Sequence, residues 1–323
     1  MLKLKVEPEK RVDVLWENYI VECKLRGLSP ETLKDKESYF NIFYRFLEPI
    51  RISVDVLNQQ VLNEFVMSRC ASGIKNISVN SNSRTINAFL TWLYKNKHID
   101  RPIKIPMLKQ QETVKETYSE EDLEKLLVKP DLMRSTFQEY RTWVIINYIL
   151  GTGNRLSSVL SITNGDVDLV EGYINLQHTK NKRKQLVPLS SSLVSLLKEY
   201  MEVRRGENND ILFCTSFGEK MGRQGAHRAL KQYCEERGVK SLGHHAIRHT
   251  FAKIAVRDCH IDAFRLQKML GHKDIETTAH YVQLYSNELR NDLDAFTPLE
   301  LLLKSQQPSE KINIVQRMKG GKR

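Results

Sequence analysis

The 323 residues predict a mainly α-helical chain with one small β-sheet, an α+β architecture built as a helical bundle followed by a mixed α/β domain. Three observations carry this expectation. The first hundred residues hold four apolar patterns at three- and four-residue steps, the spacing of half-buried helices. Three short strand-like runs cluster between about 166 and 189, with helical patterns on both sides. Between Asp100 and Thr117 the periodicity lapses, and Pro102 and Pro106 block a helix there. A chain of this length exceeds what one core usually fills, so the lapse is read as a boundary. The expected organisation is a helical domain over 1–100, a linker over 101–117, a second domain over 118–304 and a basic tail over 305–323.

In the first domain, Val12, Leu15, Trp16, Tyr19, Ile20 and Cys23 mark a helix over 10–26 that Gly27 ends. Ser29, Pro30 and Glu31 then form a cap with proline at the first helical position. The helix that follows buries Leu33, Tyr39, Phe40, Phe43 and Phe46 or Leu47, and Pro49 stops it. Two further helices are expected over 55–70 and 79–97, divided by Ala71-Ser72-Gly73. The aromatic stripe lies at helical spacing and is read as core rather than as a base-stacking platform. Ser78 to Arg84 form a polar cluster near the fourth helix start, so Ser81, Asn82 and Arg84 are candidate phosphate contacts, with an ordinary capped helix start as the alternative.

Past the linker, Ser119-Glu120-Glu121-Asp122 opens a capped helix. A strongly apolar helix over 135–150 then leads to the turn Gly151-Thr152-Gly153, which sets Arg155 at the next helix start. Strands are expected at 166–169, 173–178 and 184–189, with the basic tip Lys180 to Lys184 between the last two, and a further strand at Ile211 to Cys214 between helices over 190–205 and 222–237. Arg223, Gln224, His227, Arg228 and Lys231 share one side of the second of these helices. Arg223, Gln224 and Arg228 are candidate groove contacts.

Composition narrows the function classes. The net charge of +11 favours a polyanionic partner, and basic residues outnumber acidic ones three to one over 51–110 whereas 1–50 is balanced. No apolar run approaches the ~20 residues of a membrane span, the N-terminal stretch has no secretory pattern, and five scattered cysteines form neither a metal pattern nor a disulfide framework. A cytoplasmic location and no metal or cofactor are expected. The chemistry concentrates between His244 and Tyr281. His245 and Arg248 stand at i and i+3, so on a helix they project from one face, and a guanidinium fork suits a phosphate. The phenol of Tyr281, with an ordinary pKa of about 10, needs a base or a cationic field to become a nucleophile.

These residues carry a resemblance. The boxes His245-x-x-Arg248-His249, Leu270-Gly271-His272 and Thr277-Thr278-x-x-Tyr281 resemble the signature of the tyrosine recombinase, or phage integrase, family. Two more marks stand in family order: Thr152-Gly153-Asn154-Arg155, and Thr179-Lys180 ahead of Val187-Pro188-Leu189. The resemblance implies a helical core-binding domain that clamps DNA and a catalytic domain that cuts and rejoins it through a 3′-phosphotyrosyl link. It implies Tyr281 as nucleophile, Arg155 and Arg248 on the phosphate, His245 as general base, Lys180 as general acid with Lys182 as the other register, and His272 as a further phosphate contact. His249 is expected to pack or support. Double-stranded DNA and other copies of the chain, four in all on paired sites, are the implied partners, with room for accessory DNA-bending proteins. An apolar segment at Leu299 to Leu303 resembles the element such proteins dock on a neighbouring protomer. One departure stands out: Ser158 lies three residues after Arg155, where the family generally carries an acid. A DNA-binding regulator that keeps the fold without the chemistry, and a type IB topoisomerase-like relaxing enzyme, are the competing readings.

Overall fold

The computed structural model describes residues 7–50, 52–110, 115–177, 185–272, 274–276, 278, 279 and 281. The chain divides into two compact units, Met1–Thr113 and Val114–Arg323. Among the described residues it is mostly helical with one three-stranded sheet, the fold class that the apolar spacing predicts.

In the first unit, α1 (Val12–Leu25), α2 (Pro30–Leu47), α3 (Gln59–Ala71) and α4 (Asn76–Lys95) surround one core. The aromatic stripe is its centre. The Trp16 indole stacks on Phe40 with centroids 4.1 Å apart, and the edge of Phe89 meets Trp16 at 5.1 Å, so these faces are spent on each other. Ser29 caps α2 by accepting from the Thr32 N–H, ahead of proline at the first helical position. α3 starts later than its apolar spacing suggests. A 3₁₀ turn over Val54–Val56 intervenes, and Asn58 accepts from the Val61 N–H to set the cap.

The stretch after α4, expected as a charged, extended linker over 101–117, is fastened to that helix along part of its length. Asn80 donates to the Leu108 carbonyl and accepts from the Leu108 N–H, both at 2.8 Å. Asn87 pairs with Ile105 in the same two-way manner, Asn76 donates to the Lys109 carbonyl, and Ile105 is fully buried. An asparagine amide reproduces the donor and acceptor of a peptide group. The strap therefore docks on the helix without a strand partner, and its prolines help it stay extended.

The second unit is organised around α6 (Phe137–Thr152), which is buried on nearly every side. Packed with it are α5 (Glu120–Leu127), α8 (Ser191–Arg204), α9 (Arg223–Glu235) and α10 (His244–Arg257). The short α7 (Leu156–Val159) follows α6, and α11 (Ala263–Leu270) follows α10. The antiparallel sheet runs in the order β1 (Val167–Asp168), β2 (Tyr173–Leu176), β3 (Gln185–Pro188), with Ile174 opposite both Val167 and Val187. The expected strand at Ile211 to Cys214 is instead two isolated bridges, Thr163 with Ile211 and Cys214 with Lys220. Side chains take the carbonyls a ladder would use: Arg204 Nη2 donates to Ile211 at 2.7 Å, and the Tyr200 hydroxyl donates to Leu212 at 3.2 Å. No described helix is long and apolar enough to cross a membrane.

Candidate active site

Two backbone turns assemble the site. The α6 helix ends at Gly153, whose left-handed φ of 67° closes the helix and turns the chain so that Arg155 becomes the N-cap of α7. A Cβ at Gly153 would lie 2.4 Å from Phe251 Cδ1 and 2.8 Å from Leu270 Cδ2, so this turn packs directly against α10 and the end of α11. The α11 helix ends in the same way at Gly271, φ 61°, which presents His272. A small apolar cluster of Phe251, Ala252, Ala255, Leu266, Leu270 and Tyr281 lies where these turns meet.

Arg248, only 4% exposed, projects from α10 into that junction. Its Nη1 donates to the Gly153 carbonyl at 2.5 Å, and its Nη2 donates to the Leu270 carbonyl at 2.9 Å and meets His272 Nε2 at 2.8 Å. Arg155 Nη1 donates to the Gly271 carbonyl at 3.4 Å. A guanidinium has no acceptor, so His272 Nε2 accepts from Arg248, and the proton sits on Nδ1, which donates to Thr278 Oγ1 at 2.9 Å. Tyr281 is 2% exposed, and its hydroxyl lies 2.5 Å from His249 Nδ1. Lys115 Nζ stands 4.5 Å from the centroid of the Tyr281 ring.

The electrostatics follow from burying cations together. Burial, and secondarily the neighbouring Arg155, draw Arg248 down to about 9, so it stays charged at neutral pH. Arg155 is lowered by burial. Burial, then Arg248, Arg155 and Lys115, hold His272 at about 4, which keeps it neutral and agrees with the tautomer that its hydrogen bonds require. A group of partly desolvated cations beside a phenol is chemically suited to a phosphate.

A family model described as the phage integrase family matches residues 116–288, just over half of the chain. The chain belongs to the phage integrase family. It is similar to the tyrosine recombinase XerD of Staphylococcus epidermidis, 26% identical over 282 residues that cover 84% of this chain and 94% of the relative. XerD of Pseudomonas putida is 27% identical over 273 residues, 82% of this chain and 90% of the relative. Among solved structures, the fold is similar to that of XerH site-specific recombinase bound to a palindromic difH substrate, with a TM-score of 0.69 at 20% identity over 88% of this chain and 84% of that one. It is also similar to lambda integrase in a tetramer bound to a Holliday junction, with a TM-score of 0.68 at 15% identity over 84% of this chain and 77% of that one.

Of the integrase boxes, the structure brings together Arg155, Arg248, His272 and Tyr281. Lys180 and Lys182 lie outside the described residues, as do Thr277 and the segment Leu299 to Leu303. The β2–β3 connection that carries both lysines leads into Gln185, whose Nε2 donates to the Lys268 and Met269 carbonyls at 3.3 Å and ties β3 to the end of α11. His245 is exposed, with its ring 6.3 Å from that of His249. The imidazole on the Tyr281 hydroxyl is thus His249, expected only to pack, whereas His245, expected as the base, is the exposed one. Position decides this: one turn further along α10, His249 reaches the Tyr281 cluster while His245 remains at the surface. His244 is buried against His227, its Nδ1 3.4 Å from that of His227. Ser158 is buried in α7, and its carbonyl accepts from the Ser161 hydroxyl.

The expected phosphate contacts divide. Asn82 is 1% exposed and donates to the Tyr39 carbonyl at 2.9 Å, because helical phase sends it inward with Val79, Ser83 and Ile86. It is a structural residue in this conformation. Ser81 is half-buried and donates to the Ile77 carbonyl, whereas Arg84 is exposed. Arg223, Gln224 and Arg228 share the exposed side of α9 with His227. Lys115 lay in a stretch expected to be linker, and nothing in local sequence pattern connects it with a tyrosine so distant in the chain.

Proposed function

We infer that this chain is a site-specific DNA recombinase that cleaves and rejoins strands through a 3′-phosphotyrosyl intermediate. The observation that carries the reading is the meeting of Tyr281 with His249, Arg248, Arg155 and His272 at one junction of helix ends. In the cleavage step the Tyr281 oxygen attacks the scissile phosphorus, the bond to the 5′ oxygen breaks, and the energy of the diester is kept in the phosphotyrosyl link. Arg155 and Arg248 hold the non-bridging oxygens, each donor contributing ~3 to 4 kcal/mol to the transition state. Among the described residues, Gly153, Leu270 and His272 engage three of the five Arg248 donors, which orients the fork and leaves two for a phosphate. His249 Nδ1 takes the phenol proton, and Lys180 supplies one to the leaving 5′ oxygen.

The first unit serves as the core-binding clamp and the second as the catalytic domain. Arg84, Ser81 and the α9 face of Arg223, Gln224 and Arg228 are assigned to phosphate and groove contacts, together with Lys182. The working form is a homo-oligomer on double-stranded DNA, a tetramer on paired sites, and accessory DNA-bending proteins are compatible with it. Similarity to the XerD recombinases and the cleavage residues gathered here favour an enzyme over a silent regulator.

The test is a nicked suicide substrate built on the site that the protein selects from random duplex DNA. Loss of a short 5′-hydroxyl fragment prevents rejoining, so wild type is expected to leave a DNA adduct that survives denaturant. Tyr281→Phe should bind the site and give none, since only the hydroxyl is removed. An adduct in Tyr281→Phe moves the nucleophile elsewhere, and no adduct with wild type returns the chain to the regulator reading.

A further inference from the structure

We propose that Lys115 is a positioning residue of the cleavage site, its ammonium seated on the Tyr281 ring to hold the nucleophile and favour its ionised form. This rests on the recombinase reading and adds to it a residue outside the five family boxes. The Nζ of Lys115 lies 4.5 Å from the ring centroid, within the reach of a cation–π contact. The ring itself is buried, with His249 on its hydroxyl.

The backbone near Lys115 is fixed independently of the tyrosine. Three residues on, the Tyr118 N–H donates to Thr250 Oγ1 at 2.9 Å, and the Tyr118 hydroxyl accepts from the Leu242 N–H at 2.9 Å. Glu120 pairs with Arg257 at 2.8 Å. The segment is thus pinned along α10, the helix that presents His249 and Arg248, and Lys115 is delivered to Tyr281 by a scaffold the site already uses. Burial and the nearby Arg248 both draw the Lys115 ammonium below its ordinary range, as a cation inside a cationic site requires. A phenolate forming at Tyr281 relieves that repulsion. Lys115 keeps its proton throughout: the phenol proton passes to His249, the new bond forms between the Tyr281 oxygen and phosphorus, and the bond to the 5′ oxygen breaks.

The test compares Lys115→Gln and Lys115→Arg with wild type in single-turnover cleavage of the suicide substrate at saturating protein, from about pH 6 to about pH 10. Lys115→Gln should slow adduct formation about three- to thirty-fold near neutral pH, the range of one desolvated cation–π contact. Its rate should converge on wild type at high pH, because the ascending limb of the profile moves up. Lys115→Arg should recover most of the rate, since a guanidinium also stacks on an aromatic face. The independent reading uses isotope-labelled tyrosine rings in the free protein, with the Tyr281 signal identified by its loss in Tyr281→Phe. Its titration should move to higher pH in Lys115→Gln.

An unchanged rate and titration would overturn the proposal, as would a faster Lys115→Gln, which would mean that the lysine restrains the tyrosine. A loss equal at every pH, accompanied by a smaller salt dependence of DNA binding, would make Lys115 a phosphate contact instead. If wild type forms no adduct while the Tyr281 titration still responds to Lys115, the recombinase reading fails and the contact stands.

Discussion

Replacing Gly153 by alanine should damage catalysis and stability together, for reasons that can be traced atom by atom. The residue sits at φ 67°, where a side chain costs about 1 to 2 kcal/mol. The added methyl would also lie 2.4 Å from Phe251 Cδ1 and 2.8 Å from Leu270 Cδ2, an overpacking worth roughly 1 to 3 kcal/mol. A combined cost near 3 kcal/mol lowers the melting temperature of a unit this size by about 6 to 12 °C. The turn must also shift, and it carries the carbonyl that accepts from Arg248 Nη1. A misplacement approaching 1 Å at a transition-state donor costs about a hundred-fold in rate. Thermal unfolding and single-turnover cleavage, the latter well below the variant's melting temperature, measure the two effects separately. A variant that melts within about 2 °C of wild type and cleaves at the wild-type rate would refute the claim that this turn positions Arg248.

Three further outcomes are expected. His249→Ala should slow cleavage by about a hundred-fold and His245→Ala by less than ten-fold, the order set by the 2.5 Å contact between His249 and Tyr281; the reverse order in single-turnover rates would return the base to His245. Stability should rise with pH between about 4 and about 6.5 and level off above, because His272 (about 4) and His244 (about 3) both titrate below the ordinary 6.5, so the unfolded chain binds more protons in that window. His244→Asn should flatten the slope of melting temperature against pH, and an unaltered slope would exclude His244 from it. Ser158→Asp should leave cleavage within about three-fold of wild type, because carbonyl groups already hold both arginines; a ten-fold gain would show that the missing acid matters.

Helical phase made the first unit legible: Val12 to Cys23, Ser29-Pro30 and the aromatic stripe lie where apolar spacing and capping chemistry put them. The same reasoning failed where a side chain replaces a backbone partner. Asn80 and Asn87 look like polar surface in sequence and in fact fasten the strap at Ile105 and Leu108, while Arg204 and Tyr200 occupy the carbonyls that a strand at 211–214 would use. Asn82, a candidate phosphate contact by sequence, is buried for a related reason. A polar residue at a core phase is a structural hydrogen bond before it is a ligand contact. In the site, the integrase boxes named the residues, but a motif does not state which of two histidines a turn apart meets the Tyr281 hydroxyl. Lys115 could not be read at all, because its relation to Tyr281 exists only once Tyr118 is fastened to Thr250.

The carbonyls that hold the arginines bear on the absent acid at Ser158. Gly153 caps α6, while Leu270 and Gly271 close α11, so Arg248 and Arg155 are gripped by the C-terminal ends of two helices. Such ends carry partial negative charge from their unpaired carbonyl groups. They fix the direction of a guanidinium as a carboxylate would, yet they cancel less of its charge. His272 adds to this by orienting Arg248 as a neutral acceptor, its own proton directed to Thr278. The arginines are thus ordered by the fold itself, and on the recombinase reading their positive charge is left for the incoming phosphate to neutralise. On the recombinase reading, that division between orientation by dipoles and neutralisation by substrate is why an acid beside Arg155 is expected to be dispensable, and a ten-fold gain in Ser158→Asp would refute it.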